Sequence, residues 1–261
     1  MNLRALQSQE VRPGLFPDLD ARIGIINTLI LIVGILLTPP RAWLAYPLLW
    51  TLIGILATLH GINIWRLARL AGLALPFTLT AATLLVTTPG MPVTTFLGMT
   101  ITDAGVARFL EIVLKSWLSV QAALLLTLTT PFTEILRGLE RLRVPPTLIT
   151  IMSFMYRYLF TLRDEAERLL RARTARSGSP TNVKSGGSLI WRAKIAGGMV
   201  GNLFLRSYER SERVHAAMLA RGYDGQPRRQ AQDVPPLTWQ AIGFTIVPLC
   251  CVILIQLIVR R

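Results

Sequence analysis

The chain is 261 residues long, 52% hydrophobic and 16% charged, with mean hydropathy +0.48. Ordinary globular domains are about 25% charged, so one or two conventional soluble domains are excluded. The charge is nonetheless lopsided, 28 Lys and Arg against 14 Asp and Glu for a formal net charge of +14, and a chain both apolar and basic points to an integral membrane protein with a positive cytoplasmic side and away from a nucleic-acid binder.

In chain order, residues 1–22 form a polar lead with Pro13, Gly14 and Pro17 and no pattern of a cleavable signal. A four-span membrane domain is expected over 23–130. Its spans are Ile23–Leu37, Ala42–Leu59, about Leu70–Val86 and about Ala107–Leu128. Short turns link them, apart from a long Thr-rich polar loop opening at Pro89-Gly90-Met91-Pro92. A basic domain over 131–238 follows, and residues 239–261 supply a final span, making about five. The two cysteines, Cys250 and Cys251, are neighbours inside that last apolar run, which argues against a disulfide framework or a zinc site.

Orientation follows from the arginines. The lead carries Arg4, Arg12 and Arg22, and the loop after the second span carries Arg66 and Arg69, so these face the cytoplasm and the N-terminus lies inside. Arg41 and Arg108 mark the outer loops. Val144–Leu162 is apolar enough to imitate a further span, but crossing there would put the arginines from Arg163 to Arg229 outside. It also carries Arg157 at its middle, where a charge is costly in lipid. The segment is therefore expected to begin a helix lying along the cytoplasmic face.

Three helices are expected in the basic domain. Phe132–Leu142 is short, and Pro145-Pro146 breaks the chain after it, because proline suits a first helical turn and not an interior. The second helix runs from about Pro146 to Arg176. Its apolar stripe repeats at Leu148, Met155, Leu162 and Leu169, thickened by Ile151, Leu159 and Ala166. Residues 177–188, with three glycines and a proline, read as a flexible loop. The third helix runs from about Leu189 to Arg221 with Val200 and Leu203 on its apolar side, and 226–236 form a polar linker.

Little in the chain points to catalysis. It has no Gly-x-x-x-x-Gly-Lys-Ser/Thr phosphate loop, no His-Glu-x-x-His and no Gly-x-Ser-x-Gly, so no catalytic residue, metal ligand or cofactor is assigned. Arg108, Glu111 and Lys115 in the fourth span have helical spacing, expected to give a local ion pair and snorkelling cations. What is distinctive is arginine at helix ends. Ala175-Arg176-Ser177 and Ala220-Arg221-Gly222 close the two long helices. Each alone has an ordinary explanation in the helix dipole and in glycine's place just past a helix. The duplication favours a second use, since a guanidinium fork clamps carboxylates and two such tips suit acidic grooves on a partner.

These two tripeptides, in this order and after Leu142-Arg143-Val144-Pro145, resemble the paired signatures of the transmembrane T component of energy-coupling factor (ECF) transporters. Met155-Tyr156-Arg157-Tyr158-Leu159-Phe160 and the run from Ala217 to Gly225 are similar to the CbiQ-type subgroup, which serves cobalt or nickel uptake. The resemblance implies an all-α integral membrane protein with a cytoplasmic coupling domain, in a bacterial inner membrane. It implies a non-catalytic scaffold with two ABC-type ATPase subunits, a membrane-embedded substrate-binding subunit and room for a small accessory membrane subunit. Carried over, Arg176 and Arg221 with their neighbours Ala175, Ser177, Ala220 and Gly222 dock the ATPases, while Leu148, Met155, Leu159, Leu162, Val200 and Leu203 face the substrate-binding subunit. A vitamin-importing T component is the alternative within the family. From another class, Arg206, Arg210 and Arg213 with Glu209 or Glu212 would make a membrane-bound enzyme acting on a phosphorylated lipid.

Overall fold

A computed structural model describes residues 21–40, 42–89, 92–96, 99–176, 188–225 and 239–260. The polar lead up to residue 20, most of the expected loop (177–187) and the linker 226–236 lie outside them. The helices in chain order are α1 (Ala21–Leu36), α2 (Ala45–Leu59), α3 (Ile64–Gly72), α4 (Leu75–Thr78), a 3-10 turn (Leu79–Thr83) and α5 (Leu84–Thr87). After the strands β1 (Pro92–Phe96) and β2 (Met99–Thr102) come α6 (Asp103–Thr129), α7 (Phe132–Arg141), α8 (Pro146–Arg176), α9 (Leu189–Ala220) and α10 (Trp239–Arg260). The protein is thus all-α apart from one small ribbon among the described residues. α6 alone among them is long and apolar enough to cross a membrane; α1, α2 and residues Ile246–Leu257 of α10 are apolar but shorter.

The chain divides into two compact units, one comprising Met1–Leu142 with Asp233–Arg261, the other Arg143–Gln232. In the first, α2 turns Ala45, Leu49, Ile53 and Leu56 inward at helical spacing, against Leu31 and Ile35 of α1, Leu67 of α3 and Leu118, Ala122 and Leu125 of α6. Its opposite face is apolar too, with Leu44, Leu48 and Ile55 exposed. Apolar side chains on both faces are what a helix wedged between protein and lipid requires. α1 and α10 approach so closely that a Cβ on Gly34 would meet Val252 Cγ1 at 2.4 Å. The Gln256 amide also donates to the Gly34 carbonyl at 3.0 Å.

Two expectations are corrected in this unit. The third span is not one helix: α3 already contains Arg66 and Arg69, stops at Gly72, and is followed by short helical pieces. The sequence supplies the breakers. Gly72 and Pro76 interrupt the run, and hydroxyls bond back to carbonyls from Thr78 to Leu75 (2.7 Å), Thr87 to Thr83 (2.7 Å) and Thr88 to Leu84 (2.6 Å), a pattern that bends helices. The Thr-rich loop, in turn, holds an antiparallel ribbon pairing Thr94 with Ile101 and Phe96 with Met99. It is tied down by Thr102, whose hydroxyl donates to the Thr88 carbonyl at 2.7 Å and caps α6 by accepting from the Gly105 amide.

The second unit is built from α8 and α9, of 31 and 32 residues and so about 46 and 48 Å long. Pro146 occupies the first turn of α8, and the Ser188 hydroxyl caps α9 by accepting from the Trp191 amide. The two helices meet over a short stretch. Ile149, Thr150 and Glu165 are buried on α8, and no residue of α9 is.

Candidate functional site

The two arginine tips are built differently. On α8 the helix runs through Ala175 to Arg176, both exposed, with Arg173 also in the last turn. Ser177 lies outside the described residues. On α9 the helix ends in a closed cap: the Gly222 amide donates to the Leu219 carbonyl at 2.9 Å and the Tyr223 amide to the Met218 carbonyl at 3.0 Å. That pair of bonds is the Schellman motif, and it demands a left-handed residue just past the cap. Gly222 supplies it with φ +80°, a conformation that costs any L side chain. Ala-Arg-Gly therefore sets Arg221 at the cap position, exposed beside Ala220.

Upstream, both helices display apolar surface. Leu148, Ile151, Met155 and Leu159, spaced three or four apart, are all more than half exposed on α8, as are Val200, Phe204, Leu205 and Tyr208 on α9. Of the six residues assigned to a partner interface, Leu148, Met155, Leu159 and Val200 are thus exposed. Leu162 and Leu203 are half-buried, the first three residues before Glu165 and the second three before Arg206.

Glu165 is the residue that sequence reasoning missed. Its side chain is only 8% exposed, and its Oε1 accepts from Arg206 Nη1 of α9 at 2.6 Å. Arg168, one turn on, donates to Oε2. The Arg206 hydrogen bond holds the carboxyl below the usual carboxylate range, helped by the charges of Arg168 and Arg210 and opposed by burial. A signal was present, since Glu165 stands three residues after Leu162 and four before Leu169, on the apolar stripe itself. A carboxylate there needs a partner.

The same bond weakens the lipid-enzyme alternative. Arg206 is engaged by Glu165, and Arg213 lies 3.9 Å from Glu209, so neither guanidinium is left to an added phosphate without a competing carboxylate. In the first unit the expected Lys115–Glu111 pair forms at 2.6 Å. Lys115 does not snorkel outward, however. Its Nζ also reaches the carbonyls of Thr38 (2.9 Å) and Leu36 (3.4 Å), closing the C-terminal end of α1, where a cation is favoured. Arg108 is exposed. Among the described residues no three His, Cys, Asp or Glu side chains gather as a metal site.

Comparison with known proteins gives the family. Residues 17–232 match the family model CbiQ, described as cobalt transport protein. The energy-coupling factor transporter transmembrane protein EcfT of Brevibacillus brevis is 34% identical over 164 residues, 60% of either chain. The cobalt transport protein CbiQ of Rhodobacter capsulatus is 30% identical over 131 residues, 50% of this chain and 51% of that one. The nickel permease LarQ of Lactiplantibacillus plantarum is 33% identical over 122 residues, 47% of this chain and 42% of its own. The chain spans about 60%, or less, of the length of these three relatives. With the family model covering most of its length, the chain belongs to the CbiQ family of cobalt transport proteins.

Proposed function

We propose that this protein is the transmembrane coupling subunit of an energy-coupling factor importer, carrying no catalysis of its own. Two ATPase subunits dock at the tips around Arg176 and Arg221. A membrane-embedded substrate-binding subunit rests on the exposed apolar faces of α8 and α9, and selects the cargo, a cobalt or nickel ion. The coupling domain, residues 131–238, lies in the cytoplasm of a bacterial cell with the N-terminus on the same side.

The observation that carries this reading is the form of the two long helices. Each ends in an exposed arginine and exposes a run of large apolar side chains upstream. A partner with acidic grooves suits the first feature and an apolar partner in the bilayer suits the second. Names of the relatives supply the cargo class, since they print cobalt and nickel. Arg176→Glu and Arg221→Glu test the docking: each is expected to release the ATPase from the detergent-solubilised complex and to abolish uptake of radioactive Co2+ or Ni2+. Co-purification and uptake at the unaltered level in both variants would refute it.

A further inference from the structure

The chemistry left unused by docking is concentrated at Glu165. Two helices of 31 and 32 residues meet over a short stretch, and α9 contributes no buried residue to that meeting. Apolar packing alone therefore resists sliding or rolling of one rod on the other only weakly, because half-buried aliphatic side chains have no directional preference. A hydrogen-bonded ion pair does have one. Glu165 is 8% exposed and both its oxygens are engaged, Oε1 by Arg206 across the helices at 2.6 Å and Oε2 by Arg168. The two guanidiniums are themselves 56% and 67% exposed, so they bend over a carboxylate recessed between them.

We propose that the Glu165–Arg206 pair is the pivot of the coupling unit, a positioning contact that holds α8 and α9 at one point so that a displacement of either arginine tip is transmitted along the rod instead of being lost as slip. The inference rests on the coupling role proposed above and adds the residue that enforces it. Its geometry follows from the pair's place on each helix. Glu165 stands 11 residues before Arg176 and 19 after Pro146, giving arms of about 16 and 28 Å. Arg206 stands 15 residues before Arg221 and 17 after Leu189, giving arms of about 22 and 26 Å. α9 is thus held near its middle and α8 closer to its arginine tip, so that on α8 a movement at the tip is enlarged at the far, apolar end.

The pair is asymmetric. Loss of Arg206 leaves Glu165 with Arg168, whereas loss of the Glu165 charge removes the one carboxylate that Arg168, Arg206 and Arg210 all act on. Glu165→Gln should therefore do more harm than Arg206→Met, and Arg206→Lys should behave as the native chain, because a single donor reaches Oε1 and a lysine supplies one.

Two measurements test the pivot. In the first, the full chain with Cys250→Ser and Cys251→Ser carries spin labels at Ala172→Cys and Ala217→Cys, each four residues before a tip, and the distance between them is read by pulsed electron resonance. A single narrow distribution is expected for the otherwise native chain and for Arg206→Lys, and a broad one for Glu165→Gln. In the second, the complex with its ATPase and substrate-binding partners is reconstituted in liposomes, and Co2+ uptake is read per ATP hydrolysed. That ratio is expected to fall roughly tenfold or more in Glu165→Gln, within the range of coupling between distant sites, with the ATPase still co-purifying. A narrow distribution in Glu165→Gln, or a broad one with an unchanged ratio, overturns the proposal. Failure of the native chain to retain an ATPase would instead strike the coupling role, while the label distances would still decide whether the pair pins the helices.

Discussion

The two units of this protein bury their apolar side chains very differently. All the residues of the main apolar core, from Leu31 to Ile255, belong to the first unit. In the second, Ile149 is the one fully buried large hydrophobic among the described residues, while Leu148, Met155, Val200 and Phe204 stand exposed. The first unit completes its own interior and meets its surroundings through exposed leucines and isoleucines. The second is two rods joined through one recessed carboxylate and its exposed arginine partners, with most of its apolar surface unspent. Such a unit gains its remaining stability from whatever binds it, because a ligand that binds only the folded form stabilises that form.

That contrast can be broken at three places. The largest effect is expected from truncation in the first unit. Ile53 is fully buried, and Ile53→Ala should cost about 2–5 kcal/mol, read as a lowered denaturation midpoint in detergent. Met155→Ala, at a residue 60% exposed, should change the stability of the isolated chain by no more than about 0.5 kcal/mol. Comparable losses at the two sites would mean that the second unit has an interior of its own.

Next in size is the cap of α9. Gly222→Ala places a Cβ on a residue at φ +80°, at a cost of about 1 kcal/mol. Nothing lies within 4 Å of that Cβ, so the strain is purely conformational. Helix fraying at Ala220 and Arg221, followed by amide exchange, is the expected result, with weaker ATPase retention. Unchanged protection there would show that the cap does not set the arginine.

The smallest effect is a matter of pH. Because the folded Glu165 carboxyl is held below its ordinary value, chiefly by Arg206, its contribution is fully present above the unfolded carboxylate pKa of about 4.3. It is lost as pH falls through the lower, folded value. Spacing between labels near the tips should thus be constant from neutral pH down to about 4.3 and broaden only below it. Broadening nearer pH 6 would point to a different group.

How far the sequence reached depended on the separation of the partners. Pro145-Pro146, the seven-residue recurrence from Leu148 to Leu169 and the glycine after Arg221 are local signals. They placed α7, α8 and α9 within a residue or so of their observed ends, because capping, proline sterics and helical periodicity act over a few residues. The apolar runs announced the helices α1, α2, α6 and α10 for the same reason. Gly72, Pro76 and the threonines that interrupt the third were visible as residue types, but hydropathy averaged over the run concealed them.

The tertiary structure decided everything that joins distant parts. Lys115 faces the end of α1, 77 residues earlier, Gln256 reaches a carbonyl 222 residues back, and Glu165 finds Arg206 across 41 residues. A charged side chain in an apolar stretch states only that a partner is required. Which partner meets it depends on how whole helices pack, and burial on folding is what makes that single choice worth the ordering it demands.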